Sequence, residues 1–521
     1  MRIGIDVGGT HTDAVLLDGE TILASCKELT SADVISGVKA ALSELQRQAG
    51  TLQGLETVMI GTTQFTNAVV ERRELSQVAA IRIGLPSGRG LPPGAGWPED
   101  ILEVLGEHPY TLPGGYLYDG KPLAPLDEEA MRACVKDIAA KGLTNIAIAS
   151  AFSPANPEPE LAMAQMVKAS IPDATITLSH QIGRLGLLER ENAALLNAAL
   201  RPFAVRVVEA FIGALSDMGI TCPLYISQND GTLMDAAFVR EFPALTFSSG
   251  PTNSLRGAAR LTGLEQAIVV DIGGTTSDVG VLRGGFPRES NRAVDVGGVR
   301  TNFRMPDIMA LGLGGGSLVS EDGLTIGPQS VGHRLVSEAL VFGGSTLTAT
   351  DIVVAAGRAD VGDPSKVAHL PTETVDNAMT TMRAMLEETI RQMKPDKQPL
   401  PVVLVGGGAI LAPEELAHAS QLLTPENSGV ANAIGAAIAL VGGEAEIFAD
   451  YREEPRAEAL DRAKAQACEV AVRAGGDPDD LRTTEIEETP LPYMDDGVTR
   501  IRVKVVGSLL RSAIAGEESA T

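Results

Sequence analysis

The feature that most constrains this chain is an internal repeat. Residues 6–19, DVGGTHTDAVLLDG, and residues 271–284, DIGGTTSDVGVLRG, align without gaps and are identical at seven of fourteen positions. The shared residues include an Asp, two Gly, a Thr and a second Asp at the same spacing. An apolar, β-branched run precedes each copy (Arg2 to Ile5; Ala267 to Val270) and another follows it (Ala14 to Leu17; Val279 to Leu282). This pattern predicts strand, tight glycine turn, strand. One DxGGT could be an ordinary hairpin turn. Two copies with the same polar residues, about 265 positions apart, point to one device carried twice.

Two glycines at a strand turn let backbone N–H groups approach an anion with no Cβ in the way, and neighbouring hydroxyls add donors. Gly8, Gly9, Thr10 and Thr12 in the first copy, and Gly273, Gly274, Thr275 and Thr276 in the second, are therefore expected to cradle phosphate. Asp6 and Asp271 end their strands and are expected to point into a cleft as catalytic, Mg²⁺-holding carboxylates. Asp13 and Asp278 are expected to order the turns through Asx-type bonds or to contact the metal. A third element, the strand Val402 to Val405 running into Gly406, Gly407 and Gly408, with a helix predicted over 413–422, offers a flat surface for a base and ribose. The chain has neither a GxxxxGK[ST] loop nor a GxGxxG after its first strand, so the other common phosphate devices are excluded.

Between the copies, strand and helix patterns alternate, which argues for an α/β layer fold. A long helix is predicted over 189–212, broken or kinked near Pro202, and a charged, solvated helix over 444–472, followed by a closing hairpin over 484–506. Three segments are expected: an N-terminal domain over 1–188, a second over 189–443, and an extension over 444–521. With 42 Lys and Arg against 67 Asp and Glu, the net charge is −25, which excludes nucleic acid and anionic membrane surfaces as natural partners. The four cysteines form no CxxC pair and the six histidines no zinc-type spacing, so a hard cation on carboxylates is favoured over zinc, in a reducing cytoplasm.

The twin DxGGT copies and the late triple glycine resemble the superfamily of sugar kinases, heat-shock chaperones and actin. The resemblance implies two actin-like, ribonuclease H-like α/β domains with ATP in the cleft between them. More closely, the chain from Met1 to about Leu440 resembles the hydantoinase A/oxoprolinase family. The ordered matches are GTTQFTNA (61–68), FSPANP (152–157), SHQ (179–181), ER (189–190), SSGP (248–251), LGLGGGS (311–317), TIGPQSVG (325–332), TATD (348–351) and GVANAIGAA (429–437). The family implies ATP-dependent opening of a hydantoin, oxoproline or other lactam with a hydantoinase B-like partner subunit, in a homo- or hetero-oligomer. It also implies a substrate-facing loop built from Asp307, Gly314, Gly315, Gly316 and Ser317.

Departures fall on the acceptor side. Met309 stands where the family carries a histidine, SGPTNS (249–254) replaces SGPAGG, and Glu191, Asn192 and Ala193 replace a threonine run. The same scaffold serves small-molecule kinases, carboxylase subunits that phosphorylate a ketone enol, and ATP-switching reactivases or chaperones. These stay open as alternatives.

Overall fold

The computed structural model of the chain describes residues 1–510 except 10, 30–33, 118–119, 291–292, 304, 396 and 492–497. Thr10 and most of the turn in the closing hairpin therefore lie outside the described residues.

Both repeats fold as antiparallel hairpins. Arg2–Val7 pairs with His11–Asp18, placing Asp6 opposite Asp13. Ala267–Ile272 pairs with Ser277–Arg283, placing Asp271 opposite Asp278. The duplication extends to the sheets around them. Around the first hairpin the order is Thr21–Leu29, His11–Asp18, Arg2–Val7, Thr57–Thr62, Leu224–Ser227. Around the second it is Phe286–Pro287, Ser277–Arg283, Ala267–Ile272, Leu400–Val405, Ala419–Leu423. Each sheet therefore reads third, second, first, fourth, fifth, with the first and fourth strands parallel. These inner strands are covered on both faces, which is why they are continuous apolar runs rather than alternating ones. The expected actin-like α/β architecture is present.

Two short helices pack between the sheets and join them. In Ser249–Thr262, Leu255 and Ala258 bury against Val269, Leu282 and Val403 of the second sheet. In Ala431–Ala437, Ala433, Ile434 and Ala437 bury against Val15 and Leu17 of the first. Burying each larger aliphatic side chain contributes ~1.5–3 kcal/mol. The two helices touch backbone to backbone: a Cβ on Gly257 would lie 1.8 Å from the Ala431 carbonyl oxygen, and one on Gly435 1.9 Å from that of Asn253. Only glycine permits that approach, and it sets the distance between the hairpins.

A parallel four-stranded sheet, ordered Pro109–Pro113, Ala79–Leu85, Asn145–Ser150, Thr175–Leu178, is inserted between strands of the first sheet. The expected divisions after residues 188 and 443 follow the chain but not the sheets. Leu224–Ser227, Leu233–Asp235 and Val441–Asp450 all join the sheet of the first hairpin, as does the closing hairpin Gly476–Pro490 and Val498–Leu509.

Two local expectations are corrected, and of a third, the long helix broken or kinked near Pro202, the break is ruled out. Residues 441–450 form a strand, and the helix begins only at Arg456. Ala445, Ile447 and Ala449 alternate inward, while Arg502 draws Glu444 into an ion pair at 3.0 Å, so an acidic run that reads as solvated becomes half-buried sheet. The helix predicted over 413–422 is replaced by a short turn at Ala409–Leu411 and the edge strand Ala419–Leu423, because parallel pairing with Leu400–Val405 outweighs local propensity. Leu187–Asp217 is one helix despite Pro202. Buried Leu196, Leu200, Ala204, Val207 and Phe211 on both sides of the proline offset its cost of ~3 kcal/mol.

Candidate functional site

The two turns have the same backbone bond: the Gly8 N–H donates to the His11 carbonyl at 3.0 Å, and the Gly273 N–H to the Thr276 carbonyl at 2.9 Å. Nothing lies within 4 Å of where a Cβ on Gly9 would sit, so the tip of the first turn is open to an approaching group. Thr275 and Thr276 are exposed at the second. Thr12 is placed differently from the expectation. It is buried, and a Cβ on Gly37 would lie 2.9 Å from its hydroxyl. Ser277, its counterpart, is also buried and donates to the Leu313 carbonyl at 2.6 Å. Side chains alternate along a strand, so these two hydroxyls support the hairpins from behind instead of lining the turns.

Asp6 is only 5% exposed and Asp13 3%. The Asn432 amide donates to both, at 3.0 and 2.9 Å, and Lys27 forms a short ion pair with Asp13. Burial, and then the charge on Asp13, pushes the Asp6 carboxyl up to about 7, against the Asn253 and Asn432 amides that pull it down. In the second hairpin, Ser254 donates to Asp271 at 2.5 Å. Burial holds Asp271 above the usual carboxylate range despite that bond, with Asp13 adding to the effect and Lys27 opposing it. Burial and the neighbouring Asp271 push Asp278 up to about 7. Charges from both repeats thus converge on one cleft, with Lys27 between them.

Each aspartate also has a glycine beside it in the neighbouring parallel strand or just beyond it. A Cβ on Gly61 would lie 2.3 Å from Asp6 Oδ1, and one on Gly406 2.3 Å from Asp271 Oδ1. Gly406 has φ +83°, and its N–H donates to the Ser428 carbonyl at 3.0 Å. Gly408 donates to the Ile272 carbonyl at 2.8 Å, and a Cβ on Gly407 would face Lys27 Cε at 3.9 Å. The triple glycine therefore lies against the second aspartate and reaches the lysine of the first repeat.

Gly314, Gly315, Gly316 and Ser317 are buried behind the second turn. The Gly315 and Gly316 N–H groups donate to the Gly273 and Gly274 carbonyls at 3.0 and 2.7 Å, and a Cβ on Gly314 would lie 2.6 Å from the Thr275 carbonyl carbon. Asp307 is paired with Arg288 at 2.6 Å, and Met309 packs on the second sheet's core. Arg190 is fully buried, donating to Ser179 Oγ at 2.9 Å and to the Ser150 carbonyl at 2.6 Å, while Glu189 pairs with Arg300 at 3.2 Å.

Asp6 Oδ1 is buried with no hydrogen-bond partner of good geometry among the described residues. An orphaned buried carboxylate oxygen is a hard donor of the kind that suits a divalent cation. No group of three or more His, Cys, Asp or Glu side chains among the described residues surrounds a metal position. A cation here would draw the rest of its shell from phosphate and water.

Lys27, Asn253, Ser254 and Asn432 are site residues that sequence reasoning did not single out. Asn253 and Ser254 sit where SGPTNS departs from the family pattern, and Asn432 lies inside the matched GVANAIGAA. Lys27 has no distinguishing signal.

A doubled third-second-first-fourth-fifth sheet with DxGGT turns facing across a cleft defines an actin-like α/β protein. Family models described as "Hydantoinase/oxoprolinase N-terminal region" and "Hydantoinase/oxoprolinase" match residues 2–171 and 190–393, well over half of the chain, and the chain belongs to that family. It is 28% identical over 393 residues to the caprolactamase subunit alpha of Pseudomonas jessenii, covering 68% of this chain and 54% of that protein. It is 25% identical over 450 residues to the acetophenone carboxylase gamma subunit of Aromatoleum aromaticum, covering 78% and 58%. The chain thus spans little more than half the length of either relative. Among solved structures, an ATP-dependent caprolactamase from Pseudomonas jessenii superposes with a TM-score of 0.75 at 19% identity over 98% of this chain and 88% of that one. A nucleotide-free acetone carboxylase superposes with 0.68 at 18% identity over 100% and 89%. At these identities the likeness is one of fold. No helix among the described residues is long and apolar enough to cross a membrane.

Proposed function

We propose that this chain is the ATP-using subunit of an enzyme that phosphorylates, and so activates, the carbonyl of a cyclic amide such as a hydantoin, oxoproline or another lactam, and that a hydantoinase B-like partner completes ring opening. One observation carries the reading: the two hairpins bring Asp6, Asp13 and Asp271 together around Lys27 in a single cleft. Family membership supports it, as does the caprolactamase name of one relative.

An amide carbonyl is resonance-stabilised and resists attack by water. In the proposed step its oxygen attacks the γ-phosphorus of ATP. An O–P bond forms while the bond to the β,γ-bridging oxygen breaks, and ADP leaves. Loss of the N–H proton to solvent gives an imidate phosphate. Water then adds to the carbon, the C–N bond breaks to free the ring amine, and a second water hydrolyses the acyl phosphate to carboxylate and inorganic phosphate. Enzymes catalyse phosphoryl transfer mainly by positioning and charge stabilisation. In this reading the amides of Gly9, Thr10, Gly274 and Thr275 and the Lys27 ammonium hold the phosphates. Asp6 and Asp271 would hold Mg²⁺, which when bound neutralises charge between the β- and γ-phosphates. Gly314, Gly315, Gly316 and Ser317 act through the second turn, whose Gly273 and Gly274 carbonyls accept from Gly315 and Gly316, and Gly406, Gly407 and Gly408 form the floor beside Asp271.

A second reading, phosphorylation of a ketone enolate in a carboxylase, is favoured by the likeness to the acetophenone carboxylase gamma subunit and uses the same phosphate site. ADP formation in the presence of Mg²⁺ and a panel of lactams, hydantoins and ketones separates the two, with and without a hydantoinase B-like partner. Lactam- or hydantoin-dependent ADP release is expected. Stimulation by ketones alone would move the chain to the second reading.

A further inference from the structure

The two hairpins carry the same carboxylates but not the same counter-charge. Residues paired directly across an antiparallel ladder share one face of the sheet. In the first hairpin that face shows the row Asp6, Asp13 and Lys27 across three strands. Lys27 forms an ion pair with Asp13, and the Asn432 amide donates to the same carboxylate at 2.9 Å. In the second hairpin the corresponding row is Asp271, Asp278 and Ala310. Alanine stands where the first copy has its lysine.

Asp278 is therefore left without a counter-ion. Among the described residues the charge that acts on it is the like charge of Asp271, and no hydrogen bond reaches its carboxylate. It is partly exposed, and Ala310 beyond it is exposed, so the carboxylate can be approached from solvent. It also stands at the foot of the second glycine turn, two residues after Thr276 and directly across from Asp271. A carboxylate partly withdrawn from water with nothing bonded to it suits a ligand that donates to it. Asp13 cannot take that part, because Lys27 and Asn432 already occupy it.

We propose that Asp278 is the residue that recognises the cyclic amide: it accepts the ring N–H and so turns the carbonyl oxygen toward the phosphate held on the same turn. The proposal rests on the functional reading above. Ring closure forces the amide of a small lactam into the cis form, which a linear secondary amide rarely adopts. The N–H and C=O of the lactam then point the same way and form one edge, donor beside acceptor. A carboxylate at the foot of the turn and a phosphate at its tip match that edge. A linear amide, whose N–H and C=O point in opposite directions, cannot satisfy both at once. A ketone, which has no N–H, leaves Asp278 unpaired.

The test is calorimetry on the full chain loaded with Mg²⁺ and β,γ-imido-ATP, titrated with ε-caprolactam and with N-methylcaprolactam, which lacks the N–H. Wild type should bind ε-caprolactam about 10- to 100-fold more tightly, the size of one hydrogen bond to a charged group. Asp278→Ala should bring that ratio near unity, and any steric cost of the methyl group remains visible there. Asp278→Asn, which keeps an oxygen acceptor without the charge, should fall between. Ala310→Lys recreates the first hairpin's ion pair from an exposed position and should also erase the ratio, which keeps the test decisive if replacing Asp278 unfolds the chain. Variants that keep the wild-type ratio overturn the proposal, as does a wild type that does not distinguish the two probes or binds neither. Weaker nucleotide binding in Asp278→Asn with the ratio intact would make Asp278 a metal ligand instead. In each of these cases the functional reading stands as long as ε-caprolactam stimulates ATP turnover with the partner present. If neither lactams nor hydantoins do so, that reading falls as well.

Discussion

The two hairpins share backbone, register and turn bond, yet their carboxylates are held differently. In the first, Asp6 and Asp13 are almost sealed from solvent and pinned by one asparagine, with Lys27 on Asp13. In the second, Asp271 is half-buried, takes the Ser254 hydroxyl, and stands beside exposed Thr275 and Thr276. Duplication preserved the glycine turn and its backbone bond while the surroundings diverged. One copy has its two carboxylates buried and charge-compensated, and the other keeps exposed threonines beside a less buried aspartate.

The sharpest way to break this comparison is to remove the carboxylates one at a time. Asp271→Ala should lower ATP turnover about 100- to 1,000-fold, the size associated with losing a preorganised electrostatic group, and leave the thermal midpoint nearly unchanged. Steady-state ADP release beside a melting curve checks it. Wild-type turnover would remove Asp271 from the reaction.

The flanking glycines come next. Ala at Gly406 meets Asp271 Oδ1 and must also adopt φ +83°, whereas Ala at Gly61 meets Asp6 Oδ1 without that backbone penalty. The left-handed conformation alone costs about 1–3 kcal/mol. Gly406→Ala should therefore lose more stability than Gly61→Ala by about that amount, as read from urea midpoints. Equal losses would mean that the two aspartates are equally constrained.

Asn432→Ala probes the pinning of the first hairpin. Hydrogen bonds to charged groups contribute about 1.5–3 kcal/mol, so stability should fall by roughly that much, while Mg·ATP affinity changes less than in the Asp271 variant. An unchanged melting temperature would show that Lys27 alone holds Asp13.

The smallest effect is in pH. Asp6 and Asp278 have carboxyls pushed up to about 7 in the folded chain, from 3.8. Between those values the folded state binds more protons than the unfolded one, so stability of the nucleotide-free chain should fall as pH rises from 4 to 7 and level off above. Mg·ATP favours the ionised carboxylates, so its affinity should rise between pH 6 and 8, by no more than about tenfold per pH unit for each group, with net proton release. Calorimetry in buffers of different ionisation enthalpy measures that release. Proton uptake on binding would reverse the assignment.

The repeat itself was legible in the sequence, because a hairpin is a local object: alternating apolar runs, paired glycines and a turn bond span about a dozen residues. From it followed the strands, the two-fold α/β plan and the positions of Asp6 and Asp271. The backs of the strands were harder to read. Thr12 looks like a phosphate donor by its place in the motif, but strand alternation turns it toward Gly37. The acidic run at 444–450 looks solvated until Arg502, more than fifty residues later, folds against it.

Sequence alone therefore determined what each hairpin is, because its contacts lie within one short segment. Tertiary structure decided what each hairpin does, because the groups that set its charge come from distant parts of the chain. Asn432 reaches Asp6 across 426 residues, and it does so only because Gly257 and Gly435 let two helix backbones touch. Ser254 meets Asp271 through that same pair of helices. No local pattern encodes such a meeting, since it depends on how closely two elements can pack once the rest of the chain has folded.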